Sequence, residues 1–101
     1  MTGIEIIAAE RTRQVAVEGY DERHDDDAKN GQLAAAAACY ALLEWYRRAG
    51  IVNHENGSPP VMWPWRTVYW KPSPKDRIRE LAKAGALIAA EIDRLQRAVS
   101  P

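Results

Sequence analysis

Between residues 78 and 99, apolar side chains recur at alternating steps of three and four: Ile78, Leu81, Gly85, Ile88, Ile92, Leu95 and Val99. An α-helix brings such positions onto one face, because its 3.6-residue turn returns to the same side every three or four residues, whereas a strand returns every two. The run spans three heptads and reads as a helix-packing seam, with Gly85 admitting a backbone that leucine would block. Ser73, Pro74 and Asp76 stand where an N-cap, a first helical residue and an acidic third residue are expected, so the helix is predicted to begin at Pro74. The seam's partner is either another helix of the chain or a second copy, and the spacing serves both.

The rest of the chain reads the same way. Alanine fills 17 positions and phenylalanine none, which favours closely approaching helices over a sheet of β-branched residues. A first helix is expected from the capping-box pair Thr2 and Glu5 through Ile4, Ile7, Ala8, Arg11 and Val15, stopped by Gly19. Residues 20–29 carry too many like charges for a core helix and are predicted as a loop. A second helix is expected over 31–49, with Leu33, Ala36, Ala37, Tyr40, Leu43 and Arg47 on one face and Gly50 at its C-terminal end. Pro59, Pro60, Pro64 and Pro72 then preclude a regular helix between 51 and 72. The expected architecture is all-α: one domain over 1–101, three main helices, and a long proline- and tryptophan-rich loop between the second and third.

Composition excludes several functions. Fourteen basic residues balance 14 acidic ones, so no global field drives non-specific binding to nucleic acid or anionic membrane. The longest apolar run, residues 33–43, is 11 long against the about 20 that a membrane span requires. A lone cysteine forms no internal disulfide, and an N-terminal stretch containing Glu5 and Glu10 does not resemble a secretory leader, which leads to an expected cytoplasmic setting. Cys39 lies in the alanine-rich helix with no histidine at helical spacing, so it reads as a small buried side chain rather than a nucleophile.

Three groups of residues could carry chemistry. Residues 62–72, MWPWRTVYWKP, set Trp63, Trp65, Tyr69 and Trp70 beside Arg66 and Lys71. Aromatic faces stack on nucleobases and the cations supply donors to phosphate, so this pattern suits a nucleotide. Some of these rings are equally suited to filling a core that lacks phenylalanine. Residues 22–27, ERHDDD, offer carboxylates for a hard cation and His24 as a proton acceptor, or simply a solvated turn with one aspartate capping a helix; His24 and Asp25 are singled out as anchors for a ligand hydroxyl or the neighbouring loop. Glu10 on the first helix and Glu91 on the last would face one another if those helices packed side by side. Asp93 with Arg97 and Glu91 with Arg94 have the spacing of ordinary surface pairs.

The order E-R-x-R-Q (10–14), E-G-Y (18–20), H-D-D (24–26), A-A-A-C-Y-A (36–41), W-P-W (63–65), W-K-P (70–72) and K-A-G-A-L-I-A-A-E-I-D-R-L (83–95) resembles a family of small uncharacterised phage and prophage proteins. The resemblance implies a phage-borne accessory protein in the bacterial cytoplasm and carries no established activity. Gly19-Tyr20, Asp25-Asp26, Trp63-Pro64-Trp65 and Asp76-Arg77 are more distantly similar to the ryanodine-receptor repeat domain, with a whole alanine-rich helix where that family has a short link. That likeness implies a site for adenine-type nucleotides and, in a phage protein, sequestration of a nucleotide signal of host defence. MazG-like pyrophosphohydrolases hold Mg²⁺ through E-E-x-x-E and E-x-x-D on paired helices. Here Glu10 is followed at i+4 by Gln14, and the E-x-x-D spacings from Glu18 and Glu22 fall at a helix end or in the predicted loop.

The sequence thus leads to an expected binder of a small nucleotide-type ligand, without turnover and without a cofactor, that self-associates. Trp63, Trp65, Tyr69, Trp70, Arg66, Lys71, His24, Asp25 and Tyr20 are its candidate site residues. Two alternatives stand beside it: a Mg²⁺-dependent hydrolase using Glu10, Asp25, Asp26 and Glu91, and a protein that binds only another protein.

Overall fold

The computed structural model describes residues 1–43 and 58–99. They form four α-helices, α1 (Gly3–Val17), α2 (Glu22–Asp27), α3 (Gln32–Ala41) and α4 (Arg77–Val99), with a 3₁₀ turn at Thr67–Tyr69 and no strand among the described residues. Arg47 and Gly50, expected at the end of the second helix, lie outside them. None of the described helices is long and apolar enough to cross a membrane.

The first helix starts with its capping box complete: Thr2 Oγ1 accepts from Glu5 N–H at 3.2 Å and Glu5 Oε1 accepts from Thr2 N–H at 2.8 Å. Its buried face is not the expected stripe, since Ile4, Ala8 and Val15 are exposed and Glu10 and Gln14 are buried. The reason is the contact with α4. Ile7 lies on Gly85, where a Cβ would come within 2.6 Å of Ile7 Cδ1, and Glu10 and Gln14 follow Ile7 at steps of three and four. Arg13 donates to both Glu10 oxygens at 2.8 Å and Gln14 Nε2 donates to the Lys83 carbonyl at 3.4 Å, while Gln14 Oε1 is buried without a hydrogen-bond partner among the described residues.

The predicted acidic loop is a short helix. Asp21 caps it, its Oδ1 accepting from His24 N–H at 2.9 Å, and the like charges are tolerated because they diverge: Asp25 turns inward while Glu22, Asp26 and Asp27 stay in solvent. The helix α3 is shorter than expected, because Leu42 leaves it with extended backbone, ψ 128°. Its terminal carbonyls are satisfied from the far end of the chain, where the Arg77 guanidinium donates to the carbonyls of Tyr40, Ala41 and Leu42. The last helix begins at Arg77 rather than at Pro74: residues 73–76 close a turn through Asp76 N–H to the Ser73 carbonyl at 2.9 Å, and Asp76 is the cap, its Oδ1 accepting from Arg79 N–H at 3.1 Å.

The core lies between α3 and α4. Leu33, Ala36, Ala37, Cys39 and Tyr40 from α3 meet Ala84, Leu87 and Ala90 from α4, with Trp63 and Trp70 closing one end. Small side chains on both helices allow the close approach, so α4 turns its alanine face inward. Its isoleucine and leucine seam is left outside, Ile88, Ile92 and Leu95 each being about half exposed at 49, 52 and 50 %.

Candidate ligand-binding site

Gly19, at φ +75°, reverses the chain after α1 so that Tyr20 N–H reaches back to the Gln14 carbonyl at 3.1 Å. The Tyr20 carbonyl in turn accepts from Arg11 Nη1 at 2.9 Å, which fixes the residue against the first helix. One turn into α2, the His24 ring stacks on the Tyr20 ring with centroids 4.5 Å apart and planes at 13°. Beneath His24 is Asp25, fully buried; its Oδ1 accepts from His24 Nδ1 at 2.9 Å and its Oδ2 accepts from Arg11 Nη2 at 2.6 Å. With Nδ1 committed, Nε2 is the imidazole nitrogen left to meet a ligand.

The opposite wall comes from the proline- and tryptophan-rich segment. Trp63 Nε1 donates to the Arg66 carbonyl at 3.2 Å and closes the W-P-W-R turn. Trp65 leans edge-on against Trp63 at 5.4 Å and lies 5.7 Å from both the Tyr20 and His24 rings. Together Tyr20, His24, Pro64, Trp65, Arg66, Tyr69 and Glu18 enclose a pocket of about 470 Å³.

Charge around the pocket is balanced except at Arg66. The Glu18 carboxyl is held below its ordinary value, first by its hydrogen bonds from Lys71 Nζ at 2.9 and 3.2 Å and also by Arg13 at 3.4 Å. Arg13 is shared with Glu10, so at that wall two carboxylates and two cations balance. Arg66, exposed at the rim, forms no ion pair with another described residue, and so its guanidinium remains available. Burial pushes the Tyr20 hydroxyl up to about 12, so it stays a neutral donor at physiological pH.

The structure brings five of the nine candidate residues, Tyr20, His24, Trp65, Arg66 and Tyr69, to the pocket wall. The other four stand behind or beside it. Trp63 and Trp70 are core residues, both 8 % exposed, with Trp70 stacked on Tyr40 at 4.8 Å. Asp25 lies under His24, and Lys71 is the Glu18 partner, its own N–H donating to the Tyr40 hydroxyl at 3.1 Å. Sequence reasoning missed Glu18 as a wall residue and Arg11 as the support of Asp25. Arg11 had a signal, for an arginine within an apolar stripe requires a buried acceptor.

The carboxylates of the hydrolase alternative are dispersed, each with its own arginine: Glu10 with Arg13, Asp25 with Arg11, Asp26 with Arg97 and Glu91 with Arg94, at 2.6 to 2.8 Å. Arg97 thus reaches across to α2 instead of pairing with Asp93. Among the described residues no three His, Cys, Asp or Glu side chains gather to hold a metal ion. Compared with known protein families, with curated proteins and with solved structures, the chain finds no match in any of the three.

Proposed function

We propose that the pocket between Tyr20–His24 and Trp65–Tyr69 binds a small planar anion of nucleotide type and returns it unchanged. The observation that carries this reading is the convergence of four aromatic rings with a guanidinium that has no carboxylate partner among the described residues. The rings offer faces or edges to a base at about 1 to 3 kcal/mol per stacked base. Arg66 supplies a bidentate donor to phosphate, and His24, oriented by the buried Asp25, meets a sugar hydroxyl. Turnover is not part of the reading, because the carboxylates needed to clamp Mg²⁺ and orient water are tied up singly by arginines. With the likeness to small phage and prophage proteins, such binding reads as sequestration of a nucleotide signal in a bacterial cytoplasm.

The test is calorimetry and thermal shift of the whole chain against mono-, di- and cyclic nucleotides, with and without Mg²⁺, followed by chromatography of the recovered nucleotide. A binder is stabilised by mass action, by about 2.7 kcal/mol at a hundredfold excess over Kd, and releases the nucleotide intact. Arg66→Glu, at an exposed position, should abolish that stabilisation without changing the melting of the free protein. No response from any nucleotide, or equal responses from parent and variant, defeats the proposal.

A further inference from the structure

The seam on α4 is exposed along its length, Ile78 at 65 % and Leu81 at 46 % included. Its first part borders α1, with Ile7 seated on Gly85 and Gly3, Ile6 and Ile7 facing Ile78 and Leu81 across an apolar groove. Its second part, Ile88, Ile92, Leu95 and Val99, is 49, 52, 50 and 83 % exposed and holds the same three-and-four spacing over three turns of helix. Among the described residues core packing does not account for that regularity, since α3 contacts the other side of α4, through Ala84, Leu87 and Ala90.

We propose that two copies of this chain pair antiparallel through this half of α4. A second copy is the occupant because knobs spaced three and four fit the holes of a helix bearing the same repeat, and a two-fold axis sets the patch against itself. In that arrangement Ile92 of one copy lies beside Leu95 of the other and Ile88 beside Val99.

Charge permits this occupant, and area makes the association a weak one. Glu91, which flanks the patch at helical spacing, is already neutralised by Arg94, and exposed Asp93 lies farther round the helix and stays in solvent, so pairing buries no uncompensated charge. The chain's 14 basic and 14 acidic residues leave two copies without net repulsion. Four aliphatic side chains at these exposures, with the alanines beside them, cover on the order of 900 Å² across both copies, below the range of stable specific interfaces and within that of weak, transient ones. The pairing is accordingly a weak, concentration-dependent one rather than an obligate dimer.

Sedimentation of the whole chain from about 1 to 500 μM reads the outcome. The weight-average mass is expected to climb from 11.3 kDa toward twice that value, and Ile92→Asp or Leu95→Lys should hold it at the monomer with the helical circular dichroism unchanged. Val61→Asp, at another exposed apolar side chain, should associate like the parent. A parent that stays monomeric throughout overturns the proposal, and so does a parent that dimerises equally well with folded Ile92→Asp and Leu95→Lys. Neither result bears on nucleotide binding, which uses a different surface.

Discussion

The Arg11 guanidinium and the Asp25 carboxylate meet at 2.6 Å, joining the first helix to the second beneath the aromatic pocket. Asp25 has no solvent exposure, and its other oxygen holds the His24 ring that stacks on Tyr20. One ion pair therefore fixes two helices and orients two walls of the site. Arg11→Ala leaves that carboxylate buried without its cation and should lower the unfolding free energy by about 3 to 5 kcal/mol, read by urea denaturation. A loss within the range of an exposed surface pair, about 1 kcal/mol or less, would show that water replaces the guanidinium.

Arg77 serves α3 from the first residue of α4. Its donors to the carbonyls of Tyr40, Ala41 and Leu42 close a helix end at which the chain has already turned extended. Arg77→Ala should cost about 1.5 to 3 kcal/mol, the range for hydrogen bonds to a charged group, and should speed amide exchange in the last turn of α3 more than in α4. Uniform exchange in both helices would count against a local role.

At Gly85 the sign depends on size. An alanine gains up to about 1 kcal/mol of helix propensity and must displace the end of the Ile7 side chain, so Gly85→Ala should change stability little. Gly85→Leu forces α1 off α4 and should destabilise by about 1 to 3 kcal/mol, as overpacking does. Chemical denaturation of both variants gives the comparison, and equal stabilities would refute the contact.

Stability should also fall on the alkaline side through Tyr20. Its hydroxyl titrates at 10.0 in the unfolded chain and is pushed up to about 12 in the folded one, mainly by burial. The unfolded state therefore loses this proton first, so the contribution is complete below pH 10 and disappears as pH rises toward 12. Burial raises Tyr40 in the same direction. In Tyr20→Phe the decline across this window should be shallower than in the parent, as followed by thermal melting at stepped pH; an unchanged slope would assign it elsewhere.

What the sequence made legible was local or periodic. The capping box of Thr2 and Glu5 is satisfied within four residues, Gly19 stops a helix by backbone freedom alone, and the seam of α4 repeats regularly enough to declare its helix. The aromatic and basic composition of 62–72 likewise marked Trp65, Arg66 and Tyr69, because their chemistry does not depend on where the segment lies. The acidic stretch misled in one respect: charge density argued for a loop, and an Asp21 cap with a distant arginine under Asp25 made it a helix.

Sequence by itself determined that the chain is helical and which residue types are available to a ligand, since both follow from hydrogen bonds and spacings a few residues long. Tertiary structure decided which face of each helix turned inward and which indoles became walls. Those outcomes depend on the separation between α3 and α4, a distance that the alanines of two remote segments set jointly and neither encodes alone. With that separation small, Trp63 and Trp70 were drawn into the core, Trp65 was left at the pocket, and the isoleucines of α4 were turned toward solvent.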